Sequence, residues 1–443
     1  MGYSLLERTE KYMVRILAAD AVNHIGEEVT LEGWVHNVRE MPEFSFVILR
    51  DRTGTVQGII ENPDFEVPEL HVESVVRMKG MAVESEYAKA GFEIKVTGIE
   101  VLVDALEEPP VQLNKKKIKE SMERILDYRY FSMRHPNIKA VFNVQATLAQ
   151  SFREYLVSQN FTEIHTPKLV ASGTEGGANL FKVEYFEKSA FLAQSPQFYK
   201  QMLVGVFERV FEVGPVFRAE PHKTSRHVNE YTSMDFEMGF IKDEQDVMDM
   251  QEGIVRYMVA QVNERNAAEL ELLGASIDVP DEIPRLRMSE VHKILADKFK
   301  IKYEEEGFDI DPNGERKICE WSKKNHNSDF IFITGYPTAA RPMYTMPDPD
   351  HDGETRGFDL IYRGLEITTG GQRIHNHQML IDNISKFGMN PDDFTFYTDV
   401  FKYGIPPHGG LAMGLERVTC QMLGLDNIRE GTMFPRDLER ITP

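Results

Sequence analysis

The sequence predicts an α+β protein, with a small all-β domain first and a larger domain mixing helices and strands after it. Three observations predict this. Five short runs of alternating apolar and polar residues crowd residues 27–105, the period-2 pattern of half-buried strands. Pro109-Pro110 then opens a charged segment that runs to Arg134-His-Pro136 and reads as a linker. Beyond it, helical and strand-like patterns alternate to the end of the chain.

The five runs are Val29-Thr-Leu-Glu-Gly-Trp-Val35, Phe44-Ser-Phe-Val-Ile-Leu49, Thr55-Val-Gln-Gly-Ile-Ile60, Val75-Val-Arg-Met-Lys79 and Phe92-Glu-Ile-Lys-Val-Thr97. Asp51-Arg-Thr-Gly54 has the composition of a hairpin turn. Five short strands in so compact a segment suit a small barrel. After the linker, Val141-Phe142, Leu148, Phe152 and Tyr155-Leu156 recur at helical spacing and predict a long amphipathic helix. Val210-Phe-Glu-Val213, Phe330-Ile-Phe-Ile333 and Phe358-Asp-Leu-Ile361 read as strands, while residues 265–330 carry no usable motif.

At 443 residues the chain has room for two or three domains. Nothing resembles a signal peptide or a bilayer-spanning run, so a cytoplasmic protein is expected, with no membrane partner and no DNA. Cys319 and Cys420 stand far apart without metal-type spacing and read as buried thiols in a reducing compartment. His375, His377 and His408 lack the accompanying ligands of a zinc site. The net charge of -21 argues against loose attachment to nucleic acid by a general basic surface. It does not exclude an RNA partner held by local patches and base contacts. Lys115-Lys-Lys-Ile-Lys119 is one such patch, or the solvated start of a helix.

The chemistry concentrates in two segments. In Phe217-Arg-Ala-Glu220, an arginine followed two residues later by a glutamate on one strand face can set a guanidinium on a phosphate and a carboxylate on a base or amine. In Gly409-Gly-Leu-Ala-Met-Gly-Leu-Glu-Arg417, small residues let backbone lie close to a ligand, and Arg417 follows as a second phosphate clamp. Together they describe a nucleotide site without a P-loop.

These segments resemble motifs 2 and 3 of the class II aminoacyl-tRNA synthetases. The resemblance to the archaeal-type aspartyl branch, in subclass IIb, extends through Leu31-Glu-Gly-Trp-Val35, Thr174-Glu-Gly-Gly177, Leu192-Ala-Gln-Ser-Pro-Gln-Phe-Tyr-Lys-Gln201, Phe358-Asp-Leu360, Glu366-Ile-Thr-Thr-Gly-Gly-Gln-Arg373 and Phe434-Pro-Arg-Asp437. It implies an OB-fold anticodon-binding domain over residues 1–105, a hinge over 106–136, and a class II catalytic domain over 137–443, with an antiparallel sheet flanked by helices. It further implies a homodimer through motif 1, before Pro167.

The activity implied is ATP-dependent ligation of L-aspartate to tRNA(Asp), and the same resemblance distributes the roles. Arg218, Ala219, Glu220, Arg226, His227, Val228, Tyr231, Glu366, Gly414, Leu415, Glu416 and Arg417 fall at ATP-binding positions. Arg218 and Arg417 are the catalytic clamps, and Tyr231 stands where the family stacks an aromatic on adenine. Glu175, Gln197, Lys200, Arg218, Thr369, Arg373 and His408 fall around the aspartate. Arg373 with Lys200 supplies the cations that a side-chain carboxylate needs. Asp359, Glu366 and Thr369 fall at the Mg²⁺ site, with Tyr362-Arg-Gly364 able to turn the chain so that the two acids come from adjacent strands. On the barrel, Phe46, Gln57 and Glu93 match anticodon contacts. The position that the resemblance gives to tryptophan in enzymes strict for tRNA(Asp) is His36, and Ala90 stands where a lysine can occur, so charging of tRNA(Asn) as well is expected, with a strict tRNA(Asp) enzyme, an asparaginyl enzyme and a noncatalytic tRNA-binding paralogue as the alternatives.

Overall fold

The computed structural model describes residues 15–61, 64–115, 117–173, 180–221, 224–303 and 309–443. They group into two compact units, Met1–His135 and Pro136–Pro443. In the first, β1 (Glu28–Glu40), β2 (Phe44–Arg50), β3 (Thr55–Glu61), β4 (Val75–Glu84) and β5 (Phe92–Val103) close into a barrel in the order β1-β2-β3-β5-β4. Alternation puts Val29, Leu31, Val35, Val47, Leu49, Val56, Val76, Met78 and Ile94 inside and leaves the intervening side chains outside. β1, β4 and β5 run several residues past the apolar runs that announce them, because barrel closure supplies hydrogen-bond partners there. Residues 106–136, expected as a hinge, hold two short helices, Met122–Asp127 and Arg129–Ser132, and Val111, Leu113 and Phe131 bury one another. Arg134 Nη1 donates to Glu73 at 2.8 Å, which ties this segment to its own unit.

The second unit is an eight-stranded sheet. Its strands are β6 (Thr162–Glu163), then, after a separate three-stranded sheet of β7 (Leu169–Val170), β8 (Lys182–Tyr185) and β9 (Lys188–Leu192), β10 (Arg209–Phe217), β11 (Glu230–Gly239), β12 (Arg285–Arg287), β13 (Phe330–Thr334), β14 (Gly357–Tyr362), β15 (Leu365–Arg373) and β16 (His408–Gly414). The order is β12-β13-β14-β15-β16-β11-β10-β6; pairing is antiparallel throughout the middle and parallel only at the two edges.

The sheet is two-faced because its strands alternate. Met234, Phe236, Leu411, Met413, Phe358 and Leu360 point to one face and pack on Val144, Leu148 and Phe152 of the helix Pro136–Ser158 and on Val247, Ile254 and Met258 of the helix Glu244–Arg265. Phe152 is fully buried, edge-on to Phe211 at 6.2 Å. The other face, read from the pairs Ser233 with Gly414, Asp235 with Ala412, Glu237 with Gly410, Thr369 with Ala412 and Arg373 with His408, is polar. Buried charge on one side and apolar core on the other mark that polar face as the working one.

Candidate active site

The polar face carries a cavity of about 320 Å³ whose wall includes Gln197, Arg218, Glu220, Arg226, His227, Val228, Tyr231, Glu366, Thr369, Arg373, Gly414, Glu416 and Arg417. The consecutive order β10-β11-β16-β15 makes this possible: β11 bridges the end of β10 and β16, so segments remote in sequence reach one wall.

The Arg218–Glu220 segment lies past the end of β10 rather than on a strand. The Glu220 N–H donates to the Arg218 carbonyl at 2.8 Å, a three-residue turn. The turn, not strand alternation, brings both side chains to the wall. Arg218 lies over the Tyr231 ring at 5.8 Å. Tyr231, in β11, opposes Val216 of β10. Ala219 and Leu415 contribute no wall. In the loop after Glu220, Arg226 donates to Glu315 at 2.9 Å and to the Gly364 carbonyl at 3.3 Å. Glu315 belongs to the helix Pro312–His326, inside the stretch where the sequence offered no motif. His227 Nδ1 meets the Thr224 hydroxyl at 2.7 Å, and burial, then the positive Arg417, lowers its pKa.

Small residues in β16 have two uses. A side chain at Gly410 would collide with the Phe236 carbonyl and the Glu237 carboxylate, and one at Gly409 with the Gly371 carbonyl. These glycines therefore serve close packing within the sheet; only Ala412 and Gly414 front the cavity. Gly414 caps the helix Leu415–Leu423, so Arg417 stands in its first turn and donates to the Glu366 carbonyl at 3.2 Å.

The carboxylate expected across a hairpin is there, by a mechanism the spacing hinted at. Arg363 (φ 47°) and Gly364 (φ 80°) form a two-residue turn with both residues left-handed, the geometry that matches strand twist. A bulge between Leu360 and Ile361 shifts register, pairing Asp359 with Thr369 and Ile361 with Glu366. Residues 366 and 369, three apart, would face opposite ways on a regular strand; the bulge puts them on one face. Thr369 Oγ1 donates to Glu366 Oε1 at 3.0 Å. Asp359 does not join them as a third ligand. Both of its oxygens accept from Arg341, at 2.9 and 2.7 Å, and no group of three His, Cys, Asp or Glu suited to a metal occurs among the described residues. Glu366 and Thr369 are hard oxygen donors on the cavity wall and fit Mg²⁺; Asp359 fits only on exchanging its arginine.

Deeper in lies a network that the sequence reading only touched. Arg373 Nε donates to Glu237 at 3.0 Å and Nη2 to the Gly410 carbonyl at 2.8 Å. Burial pushes the Glu237 carboxyl up, but Arg373 and then Lys200 overcome it and hold the group below its ordinary pKa. Lys200, expected around the aspartate, lies behind the cavity wall rather than in it. It is 1 % exposed, and its ammonium donates to Asp235 at 3.1 Å and to the Leu411 carbonyl at 2.8 Å, with Glu237 at 3.4 Å. His408 likewise sits behind the wall. Its Nδ1–H donates to the Pro406 carbonyl at 2.9 Å, so Nε2 accepts from Gln201 at 2.9 Å. Burial lowers its pKa to about 4, matching this neutral form. Gln201 also accepts from Gln197 at 2.9 Å and from Tyr397 at 3.1 Å. Glu175 lies outside the described residues. Asp235, Glu237, Gln201 and Arg341 were not foreseen. Ser233-Met-Asp-Phe-Glu237 alternates polar with apolar inside a buried strand, a signal that could have found the first two.

On the barrel, alternation places Phe46, Ile48 and Arg50 of β2 outward, with Gln57 opposite Ile48, and Gln57 donates to Glu93 at 2.8 Å. Phe46 is half-buried and edge-on to Phe44 at 5.0 Å, outside the barrel core. His36 occupies a bulge in β1 between Val35 and Asn37. Ala90 is exposed in the β4–β5 turn. Cys319 and Cys420 are buried thiols, and no helix among the described residues is long and apolar enough to cross a membrane.

Residues 121–438 match the family of class II tRNA synthetases (D, K and N), and residues 29–102 match the OB-fold nucleic acid binding domain. The chain is 46 % identical to the aspartate–tRNA(Asp/Asn) ligase of Thermus thermophilus over 97 % of this chain and 100 % of that protein. It is 44 % identical to the aspartate–tRNA(Asp/Asn) ligase of Aeropyrum pernix, over 98 % and 99 %, and 40 % to the aspartate–tRNA(Asp) ligase of Pyrococcus abyssi, over 94 % and 97 %. Among solved structures it resembles asparaginyl-tRNA synthetase from Pyrococcus horikoshii complexed with asparaginyl-adenylate, at TM-score 0.89 and 31 % identity over 98 % of this chain and 100 % of that one. Aspartyl-tRNA synthetase from Entamoeba histolytica gives TM-score 0.87 and 30 % identity, over 97 % and 92 %. A polar sheet face carrying the arginine clamps, preceded by a barrel of OB-fold type, accords with these matches: the chain belongs to the class II tRNA synthetases of the aspartate, lysine and asparagine group.

Proposed function

We propose that this enzyme activates L-aspartate with ATP and transfers it to tRNA(Asp) and tRNA(Asn). The observation that carries the amino-acid assignment is Arg373. It lies in the cavity wall, 4 % exposed, with Nε and Nη2 already bonded and Nη1 without a partner among the described residues. A guanidinium held rigid with one donor group open selects a carboxylate over an amide. Lys200 supports the choice from behind by sharing Glu237, so that Glu237 cannot fully neutralise the arginine.

In the first step the substrate's α-carboxylate oxygen attacks the α-phosphorus of ATP, the bond to the bridging oxygen breaks, and pyrophosphate leaves with its electron pair. Arg218 and Arg417 offset the charge that builds on the phosphates, and Tyr231 offers adenine a flat face. Glu366 and Thr369 would hold Mg²⁺, which supplies charge neutralisation on the phosphate oxygens when bound. In the second step the terminal ribose 3′-hydroxyl of the tRNA attacks the adenylate carbonyl, and AMP leaves. No protein nucleophile is needed. A homodimer belongs to the same reading; it is supported by Val206, Phe207 and Phe240, exposed apolar side chains at the shared end of β10 and β11, and sedimentation would test it.

The tRNA range rests on the relatives named for both tRNAs, which are 44–46 % identical, against 40–43 % for those named for tRNA(Asp), and on His36. The deciding experiment charges tRNA(Asp) and tRNA(Asn) transcripts side by side with aspartate, ATP and Mg²⁺. Both are expected to accept aspartate. Charging of tRNA(Asp) alone sinks the wider range, and pyrophosphate exchange that responds to asparagine rather than aspartate sinks the amino-acid assignment.

A further inference from the structure

His36 is held in a way that decides what it can offer a base. Arg50 Nη1 points at His36 Nδ1, at 3.3 Å. A guanidinium only donates, so Nδ1 is the acceptor and the ring proton resides on Nε2, which has no partner among the described residues. Arg50 is 8 % exposed and is itself fixed: Nη1 and Nη2 both donate to Glu73, each at 2.8 Å. Glu73 is pinned in turn. Arg134 donates to its second oxygen at 2.8 Å, its N–H donates to the Val35 carbonyl at 2.7 Å, and its backbone has φ 73°, a left-handed conformation that a glutamate adopts only when its surroundings impose it. Both arginines also lie over the Trp34 ring, at 5.7 and 5.9 Å. Burial, then the charge of Arg50, lowers the His36 pKa, in the direction of the neutral ring.

We propose that Arg50, clamped by Glu73, is a positioning residue for anticodon reading: it fixes His36 as a hydrogen-bond donor through Nε2, and that polarity is what lets one site accept two bases. The inference rests on the reading that the enzyme charges both tRNAs. Their anticodons end in C and U, whose base edges are opposite in polarity at two of three positions: C has an amino donor and an N3 acceptor where U has an O4 acceptor and an N3–H donor. Only the O2 carbonyl is an acceptor at the same place in both. A ring offering an acceptor would meet a donor on one edge or the other and sort the bases. A ring locked as a donor, addressing O2, does not sort them.

The test uses the full-length enzyme with His36→Phe, Arg50→Met and the double variant, charging transcripts that end the anticodon in C, in U, or in their 2-thio forms. Expected for Arg50→Met is a rise in KM of about fivefold for both tRNAs, the size of one hydrogen bond, with kcat little changed and no further rise when His36→Phe is already present. The 2-thio substitution should weaken wild type on both tRNAs and leave His36→Phe indifferent. Aspartate-dependent pyrophosphate exchange, which needs no tRNA, reports whether each variant is folded. Equal damage from Arg50→Met with and without His36 makes Arg50 merely structural and overturns the proposal. So does a tenfold change in the ratio of the two tRNAs. Failure of wild type on tRNA(Asn) overturns the claim of tolerance, while coupling between Arg50 and His36 on tRNA(Asp) still tests the positioning role independently.

Discussion

Glu416 shows how a single side chain takes its chemistry from its surroundings. It stands in the first turn of a helix and accepts the Thr232 N–H on both oxygens, each at 3.1 Å, and either feature favours the carboxylate. Burial outweighs them: the residue is 6 % exposed and its pKa rises from an ordinary 4.5 to about 7. A folded-state pKa above the unfolded one contributes stability that is complete below about 4.5 and disappears as pH rises through about 7. Glu416→Gln, which cannot ionise, should therefore gain on wild type in thermal unfolding at pH 8 relative to pH 5. An identical difference at the two pH values would mean that burial does not govern this group. His408, whose burial lowers its pKa and whose Nε2 meets Gln201, takes its chemistry from its surroundings in the same way.

At the scale of elements, the β14–β15 hairpin does the positioning. Its two-residue turn and its bulge together bring Glu366 and Thr369 to one face, and the turn leans on the helix that holds Arg226 through Glu315. A methyl group at Gly364 would meet the Arg316 backbone while forcing alanine into φ 80°. Gly364→Ala should cost about 1–2 kcal/mol in urea unfolding and should raise KM for ATP more than KM for the amino acid, because Glu366 and the Arg226 contact lie at the turn end of the hairpin while Arg373 lies at its far end. An unaltered KM ratio would separate the hairpin from ATP binding. Asp359 illustrates the limit of reading such an element from spacing: seven residues and a turn predict two acids on adjacent strands, but not that Arg341, from a loop before the hairpin, holds one of them.

At the scale of the molecule, a chain of net charge -21 that acts on tRNA must gain affinity from few phosphate contacts and many base contacts. Raising salt from about 50 to about 200 mM should therefore weaken tRNA binding by well under the ~10³-fold loss of proteins that neutralise many phosphates, and bulk RNA should compete poorly. A steep salt slope in filter binding would place a large basic footprint on this acidic surface. The sequence by itself determined the class of fold, the two domains' character and the Phe217–Glu220 and Gly409–Arg417 parts of the cavity wall, because alternation, helical spacing and these segments are local signals that survive in one dimension; the rest of the wall followed from the family resemblance those segments carry. It also led to Arg218, Tyr231, Glu366, Arg373 and Arg417, which all front one cavity. Only the tertiary structure decided what each charge pairs with. Lys200 turns inward to Asp235 and Leu411, Arg226 rests on Glu315, Asp359 binds Arg341, and Arg50 fixes His36, across separations of 14 to 211 residues. Pattern along a chain encodes which face a side chain takes; the partner it meets there is chosen by strand order and register, which no local pattern contains.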